Sequence, residues 1–505
     1  MSGRDVGSAQ PQRVDRRAFV ARVAALGAGA ALPAIAAATP VSATTAPPDV
    51  EPRAREVTEL TIAEAATLIR RGRLDPAELL AAYQDRIGRF DGVYQAFNHL
   101  APPQRPKRGV LHGIPLAIKD NYFTAGLPTT ANSFLFTDFV PPYDATAVAR
   151  LRAAGAVVVG KTQMGPLATT RATTPDGRIT TVNAWAPSRP EVDPGGSSTG
   201  TATAVAGRMA AGGTGTQTGG SITAPSNAQN LTGLKPTMGR VSLHGIVPLS
   251  HTRDHPGPLA RDAMDAALLL STMAGPDPAD PRTQGLPRVP DLVTAATPVR
   301  GRLRWPTRIG ITPGYPADPF RRSFVDTLAD IRGVTIVEVP FPAEWDLLTG
   351  GTFNNVRLPE RSEPFLPYLA TDLRGFGVSV LGWLQGALLG ANEFLIGQRA
   401  KTLLLERVLT DTFSRCDVVV QTGPVPFDIL GLPELALPIG FTAAGLPVGT
   451  ILGGQPFAED RLLSIAAAYQ AVTDWHHRRP PDPTTTAPRT TAHRITAEEA
   501  AETAQ

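Results

Sequence analysis

The sequence predicts an α/β protein built on a large mixed β-sheet. Three observations carry this expectation. Short β-branched runs alternate with capped helical patterns, 42% of the 505 residues are hydrophobic, and only 18% are charged. That composition suits a globular chain with a large core and not a disordered one.

The elements follow in order. Thr61 and Glu64 form a capping box ahead of an amphipathic run that stops at Gly72. Asp75, with Pro76 at the first helical position and Glu78 at the third, opens a second helix. Ile114, Leu116 and Ile118 alternate as a short strand. Asp144 is placed to cap a helix ending near Gly155, and Val157, Val158 and Val159 follow as a buried strand. Further strands are expected at 309–311, 334–339 and 418–420, and at the pair 435–441 and 448–452. Alternation of this kind favours an α/β architecture with a mixed sheet. Residues 44–57 read as a Pro/Thr-rich linker and 481–505 as a disordered tail rich in Pro, Thr and Ala.

The formal charge is +3, and the excess has an address. Arg4, Arg13, Arg16, Arg17 and Arg22 face only Asp5 and Asp15 in the first 22 residues, and residues 23–43 carry no charge. A basic leader, an apolar stretch of roughly 15 residues and a small-residue end at Ser42-Ala43 describe an export signal over 1–43. The stretch is shorter than the roughly 20 residues a membrane span needs. Arg16-Arg17 followed by Ala18, Phe19 and Val20 is similar to the twin-arginine motif, so the expected location is outside the cytoplasm, secreted or periplasmic. Without this segment cations and anions balance, and with 6% aromatic residues the chain is poor material for nucleic-acid binding. No stable membrane anchor is expected after cleavage.

Lysine usage narrows the search for chemistry. Only Lys107, Lys119, Lys161, Lys235 and Lys401 stand among 48 cationic residues. Arginine stays protonated in proteins, whereas a buried lysine can lose its proton and act as a base. Residues 195–221 hold nine glycines and nine serines or threonines around a small apolar helical run at 202–211. A phosphate loop is excluded because neither GxxxxGK[ST] nor GxGxxG occurs there. Gly196-x-Ser198-x-Gly200 matches a nucleophile elbow, but residues 188–194 are no apolar strand leading into it.

The segment resembles the signature of the amidase signature family. The residues that carry the resemblance are Gly195-Gly196-Ser197-Ser198, Gly215-Thr216-Gln217-Thr218-Gly219-Gly220-Ser221, Pro225 and Gly233-Leu234-Lys235-Pro236-Thr237. Ser197 and Ser221 are 24 residues apart, as in the family pattern. Upstream, His112 to Asn121 matches the family's lysine segment; downstream, Gly431-Leu432-Pro433, Gly445 to Gly449 and Trp475-His476 match its C-terminal part. The likeness covers 58–480. It implies a single large domain with a central mixed, twisted sheet covered by helices on both faces. It also implies a Ser–Ser–Lys triad of nucleophile Ser221, relay Ser197 after a cis peptide from Gly196, and base Lys119. The backbone N–H groups of Thr218, Gly219, Gly220 and Ser221 would form the oxyanion hole, worth roughly 3–4 kcal/mol per donor. Ser198 would support the relay. The residue chemistry agrees, because serine is a weak nucleophile that needs a base and Lys119 ends an apolar strand where desolvation lowers its pKa.

Departures from the pattern sharpen the expectation. Gln217 stands where aspartate is commoner and Thr223 where arginine often follows, a neutral support pair in place of a charged one. No cation stands immediately beyond Ser221 in sequence to clamp an anionic substrate. Thr199 is expected to cap the following helix. His251 and His255 have helical metal spacing but are bracketed by Pro248 and Pro256, so no metal and no cofactor are expected. His476 and His477 read as a capping or surface pair, Lys161 and Lys235 as structural residues in turns, and Cys416 as inert core. The expected activity is hydrolysis of a small-molecule or peptide amide through an acyl-enzyme, by a monomer or homodimer. The alternatives are a peptide C-terminal amidase or esterase on the same triad, one component of an amidotransferase, and a non-catalytic binding protein. Trp345, Phe353, Phe365, Tyr368, Phe376, Trp383 and Phe394 are available to line an apolar acyl pocket.

Overall fold

The computed structural model describes residues 48–53, 56–485 and 494–496. The export segment 1–43 and part of the 44–57 linker lie outside the described residues. Among those described, no helix is long and apolar enough to cross a membrane.

Eleven strands form one sheet. They are β1 (Phe97–Leu100), β2 (Pro115–Lys119), β3 (Val157–Thr162), β4 (Gly212–Gln217), β5 (Thr232–Lys235), β6 (His255–Ala260), β7 (Arg302–Ile311), β8 (Arg332–Glu338), β9 (Val418–Gln421), β10 (Glu434–Phe441) and β11 (Pro447–Gly454). Their spatial order is β1-β3-β2-β4-β6-β5-β10-β11-β9-β7-β8. β2 runs parallel to both β3 and β4, and β7 to both β8 and β9; the remaining neighbours are antiparallel. The sheet is therefore mixed, as its pattern predicts.

Strand alternation sends side chains to two cores. Leu116, Ile118 and Val158 enter the larger one, whereas Ala117 and Val159 enter a second cluster. Val418 and Val420 likewise part from Val419, which joins a third. Burial on both faces is why these strands read as continuous apolar runs. The first helices form where the capping chemistry places them. In α1 (Ile62–Arg70) Thr61 Oγ1 accepts from the Glu64 N–H while Glu64 accepts from that of Thr61, at 3.1 and 2.9 Å. In α2 (Pro76–Tyr94) Asp75 accepts from the Ala77 N–H at 2.8 Å.

Local competition overrides three expectations. Asp144 does not cap α3 (Thr146–Ala153); its carboxylate accepts from the Ala125 N–H and from Arg152, which ties the preceding loop down and leaves Ala145 at the cap. The helical run at 202–211 stops early, because α4 (Thr199–Ala206) ends at Gly207 and Arg208 turns left-handed with φ 62°. The C-terminal boundary also moves past 480. Asp482 accepts from Arg86 at 2.5 Å and from Arg208, two nearly buried guanidinium groups from distant parts of the chain, and Arg208 also holds Glu59 at 2.6 Å. Asp49 and Glu51, in the described part of the linker, pair with Arg70 and Arg71 at the end of α1.

Replacing Asp482 with alanine strips both guanidinium groups of their shared carboxylate, although Glu59 still serves Arg208. Since Asp482 is itself partly exposed, the expected loss is about 1–2 kcal/mol. Urea unfolding at unchanged m-value should read it, and an unmoved midpoint would show that this latch contributes nothing.

Candidate active site

Parallel pairing brings the chemistry together. Leu116 and Ala117 of β2 lie beside Gly212 and Gly213 of β4, so both strands deliver their C-terminal ends to one place. β2 ends at Lys119, and β4 runs through Thr216 into the Gln217–Ser221 turn. Ser197 and Ser198 enter from the start of α4, after a cis Gly196–Ser197 peptide. This close approach requires glycine at 215, where a Cβ would sit 2.8 Å from Ser198 Oγ.

Lys119 is fully buried. Its Nζ lies 2.9 Å from Ser197 Oγ, 2.9 Å from Thr216 Oγ1 and 3.2 Å from the Thr216 carbonyl. Burial pulls its pKa from 10.5 to about 7, opposed by the charge of Asp254. A neutral amine has two hydrogens and one lone pair. The Thr216 carbonyl can only accept, and Thr216 Oγ1 also accepts from Asn121 Nδ2 at 3.1 Å. With both hydrogens turned to Thr216, the lone pair faces the Ser197 hydroxyl, which then donates to it. The structure thus brings the expected base and the expected relay serine into contact. No hydrogen bond joins the Ser221 and Ser197 hydroxyls; Ser198 N–H donates to the Ser221 carbonyl at 3.3 Å instead.

Ser221 follows Gly220, whose φ of 96° suits glycine, and precedes α5 (Thr223–Ala228). Among the described residues, no backbone acceptor takes the N–H groups of Gly219, Gly220 or Ser221. Gln217 and Thr223 meet as expected: Gln217 Oε1 accepts from the Ile222 and Thr223 N–H groups at 2.9 Å each and from Thr223 Oγ1 at 3.2 Å. Its Nε2 donates to Glu434 at 2.7 Å, and Gln421 donates to the other oxygen of Glu434 at 2.9 Å. Ser198 reaches the Thr216 carbonyl at 3.4 Å, a long bond.

Several assignments change. Thr199 is no cap; Ser198 holds that position, and Thr199 Oγ1 donates to the Gly195 carbonyl and accepts from the Ala172 N–H. Lys161 and Lys235 lie within β3 and β5, not in turns, 3.1 Å from Asp120 and 3.7 Å from Glu434. His255 is buried in β6, where desolvation holds its pKa well below the usual value, and His251 is exposed, so they share no helix face. His476 is buried, and Cys416 is buried with its thiol pushed up to about 12. Most of the aromatic set is packing: Phe365, Phe376 and Trp383 cluster in the core, Trp345 stacks on Phe341 and Phe353 lies under Arg253 and Arg357. Phe394 alone of the set lines the cavity of about 670 Å³ beside Thr252 and Asp254.

Residues distant in sequence complete the site. Thr218 is held from both sides by consecutive residues, its hydroxyl donating to Asp254 and its carbonyl accepting from Arg253 at 2.8 Å. Arg253 also donates to Asp428 at 3.0 Å, so a cation does stand beside the Ser221 turn, brought there by the fold. An Arg-Asp pair just ahead of a strand is the only local signal, and the histidines that flank it are the more conspicuous residues.

Known proteins resemble this chain over most of its length. The amidase family model matches residues 78–352. A glutamyl-tRNA(Gln) amidotransferase component of Chloroflexus aggregans is 34% identical over 84% of this chain and 99% of its own length. The component of the same name from Roseiflexus sp. is 35% identical over 84% and 98%. Among solved structures, peptide amidase from Stenotrophomonas maltophilia superposes with a TM-score of 0.68 at 29% identity, covering 84% of this chain and 98% of that one. An amidase family protein from Bacillus anthracis gives 0.70 at 26%, covering 84% and 92%.

With only five lysines, isotope labelling should resolve the Lys119 signal by NMR. It should titrate near pH 7, and Asp254→Asn should move that titration lower, because the carboxylate favours the charged ammonium. An unmoved titration would remove Asp254 from any electrostatic role.

Proposed function

The chain belongs to the amidase family and is an enzyme of amide C–N bond chemistry, and we propose that it is an exported serine amidase working through Ser221, Ser197 and Lys119. The observation that carries this reading is the desolvated Lys119 amine, 2.9 Å from Ser197 Oγ, beside a glycine-rich turn that ends in Ser221.

Ser221 Oγ attacks the amide carbonyl carbon as its proton passes to Ser197 Oγ and the Ser197 proton passes to Lys119 Nζ. The N–H groups of Thr218, Gly219, Gly220 and Ser221 receive the developing oxyanion. Collapse breaks the C–N bond, and Ser197 returns a proton to the departing ammonia or amine. Water then releases the acid from the acyl-enzyme by the same relay. The open Ser221–Ser197 contact closes when substrate is bound, as catalytic hydrogen bonds often do. The reading extends to esters and to peptide C-terminal amides, the latter favoured by the likeness to a peptide amidase.

The relatives named as amidotransferase components favour a second reading, in which the same serine serves one part of a larger enzyme. The basic leader with Arg16 and Arg17 favours the exported hydrolase. Amide hydrolysis by the purified chain alone, with water as acceptor, supports the first reading; hydrolysis only in the presence of further chains supports the second.

Ser221→Ala should abolish hydrolysis and labelling by a fluorophosphonate, with the adduct of the unaltered protein mapping to Ser221. Lys119→Ala should lower kcat/KM by about 10²–10⁴-fold. Because the base must be neutral, kcat/KM should fall as pH drops through about 7. Changing Arg16 and Arg17 together to lysine should retain the protein in the cytoplasm, as read by cell fractionation; unchanged export would sink the twin-arginine assignment.

A further inference from the structure

The cavity lined by Asp254, the carboxylate that holds Thr218, has a chemistry of its own. It encloses about 670 Å³, within the range that holds a small organic ligand. Phe123, Tyr143, Ile246 and Phe394 supply apolar walls. Tyr143 sets its edge against Phe123, with centroids 5.6 Å apart, and stacks on His244 at 5.2 Å with 13° between the planes. One wall is thus already an aromatic stack that a further flat ring can extend.

Three of the four acidic or arginine side chains in the lining are turned elsewhere, and the fourth, Glu363, is exposed. Asp254 spends its oxygens on the Thr218 hydroxyl and on the Leu249 and Ser250 N–H groups. Glu360 spends its own on Ser250 and Thr252. Arg282 pairs with Asp280 at 2.7 Å. A neutral occupant therefore meets carbon surface and three charged groups that are already paired or hydrogen-bonded. The cavity is also tied to the reacting groups. Asp254 is shared with Thr218, Phe123 lies four residues beyond Lys119, and the intervening Tyr122 donates to the Gly215 carbonyl in β4 at 2.6 Å.

We propose that this cavity seats an uncharged aromatic group of the substrate, so that the preferred substrates are amides bearing an aryl ring. The inference rests on the hydrolase reading above and names its substrate class. The ring can belong to a small aryl amide or to an aromatic side chain of a peptide amide.

The wall that can be changed without disturbing the core is α6 (Ala391–Arg407), where Phe394 and Gln398 line the cavity one turn apart and are both half-buried. Phe394→Ala removes an aromatic contact, and Gln398→Trp fills the space. The measured quantities are kcat/KM for acetamide, phenylacetamide and N-acetylphenylalaninamide, with calorimetric binding of phenylacetamide to the Ser221→Ala protein. At least one aromatic amide should exceed acetamide by at least about tenfold, the gain expected from burying a ring. Which of the two leads identifies the source of the ring. Both cavity variants should cut that preference by about tenfold or more, and Gln398→Trp should abolish binding to the Ser221→Ala protein. Hydrolysis of acetamide without aromatic preference overturns the proposal and leaves the hydrolase reading intact. Binding that Gln398→Trp abolishes, in a protein that turns over no amide, supports the cavity and overturns the hydrolase reading. A preference or binding that neither variant alters also overturns the proposal.

Discussion

Burying an ammonium group without a partner costs several kcal/mol, and the region around Lys119 is organised by that cost. The fold buries three lysines completely at the sheet. Lys161 has Asp120 at 3.1 Å and Lys235 has Glu434 at 3.7 Å, whereas Lys119 has in contact only two hydroxyls and a carbonyl. Two of these lysines sit beside a carboxylate; burial pulls the pKa of the third, which has none in contact, down to about 7. Asp254 acts on it from beyond contact distance and restrains the fall in its pKa. The adjacent parallel strands bring the amine to within 2.9 Å of the Ser197 hydroxyl, and the glycine at 215 leaves room for Ser198 beside it.

The nucleophile turn depends on a second balance of charge. Gln217 presents an oxygen to the first N–H groups after Ser221 and a nitrogen to Glu434. An aspartate in its place would set a second carboxylate against Glu434 in a buried site, where like charges cannot both ionise. An amide satisfies donors on one side and an acceptor on the other, and Thr223 needs no charge to join it. The two departures from the family signature thus meet in one hydrogen-bonded group, which reaches β10 at Glu434, 217 residues beyond Gln217.

What the sequence discloses is what is written locally or in fixed order. The capping box at Thr61 and Glu64, the hairpin of β10 and β11, and the spacing from Ser197 to Ser221 each depend on neighbours along the chain, and each is legible. Thr216 and Asn121 stand inside the family motifs, whereas Arg253 and Asp254 meet Thr218 only through the fold, so no local pattern announces them. Asp144 and Thr199 illustrate a different limit. Their side chains are suited to capping, but the Ala125 N–H takes the Asp144 carboxylate and the Ala172 N–H takes the Thr199 hydroxyl oxygen. The aromatic residues of 343–405 show a third: composition cannot tell a ring that lines a cavity from one that fills a core, and packing sends Phe365, Phe376 and Trp383 to the core while Phe394 reaches the cavity.

The carboxylate shared by Arg86 and Arg208 bears on how the molecule is made. Asp482 is synthesised 396 residues after Arg86 and 274 after Arg208, whereas Glu59, which also holds Arg208, precedes both. The carboxylate that Arg86 and Arg208 share can therefore reach them only when nearly the whole chain has been made.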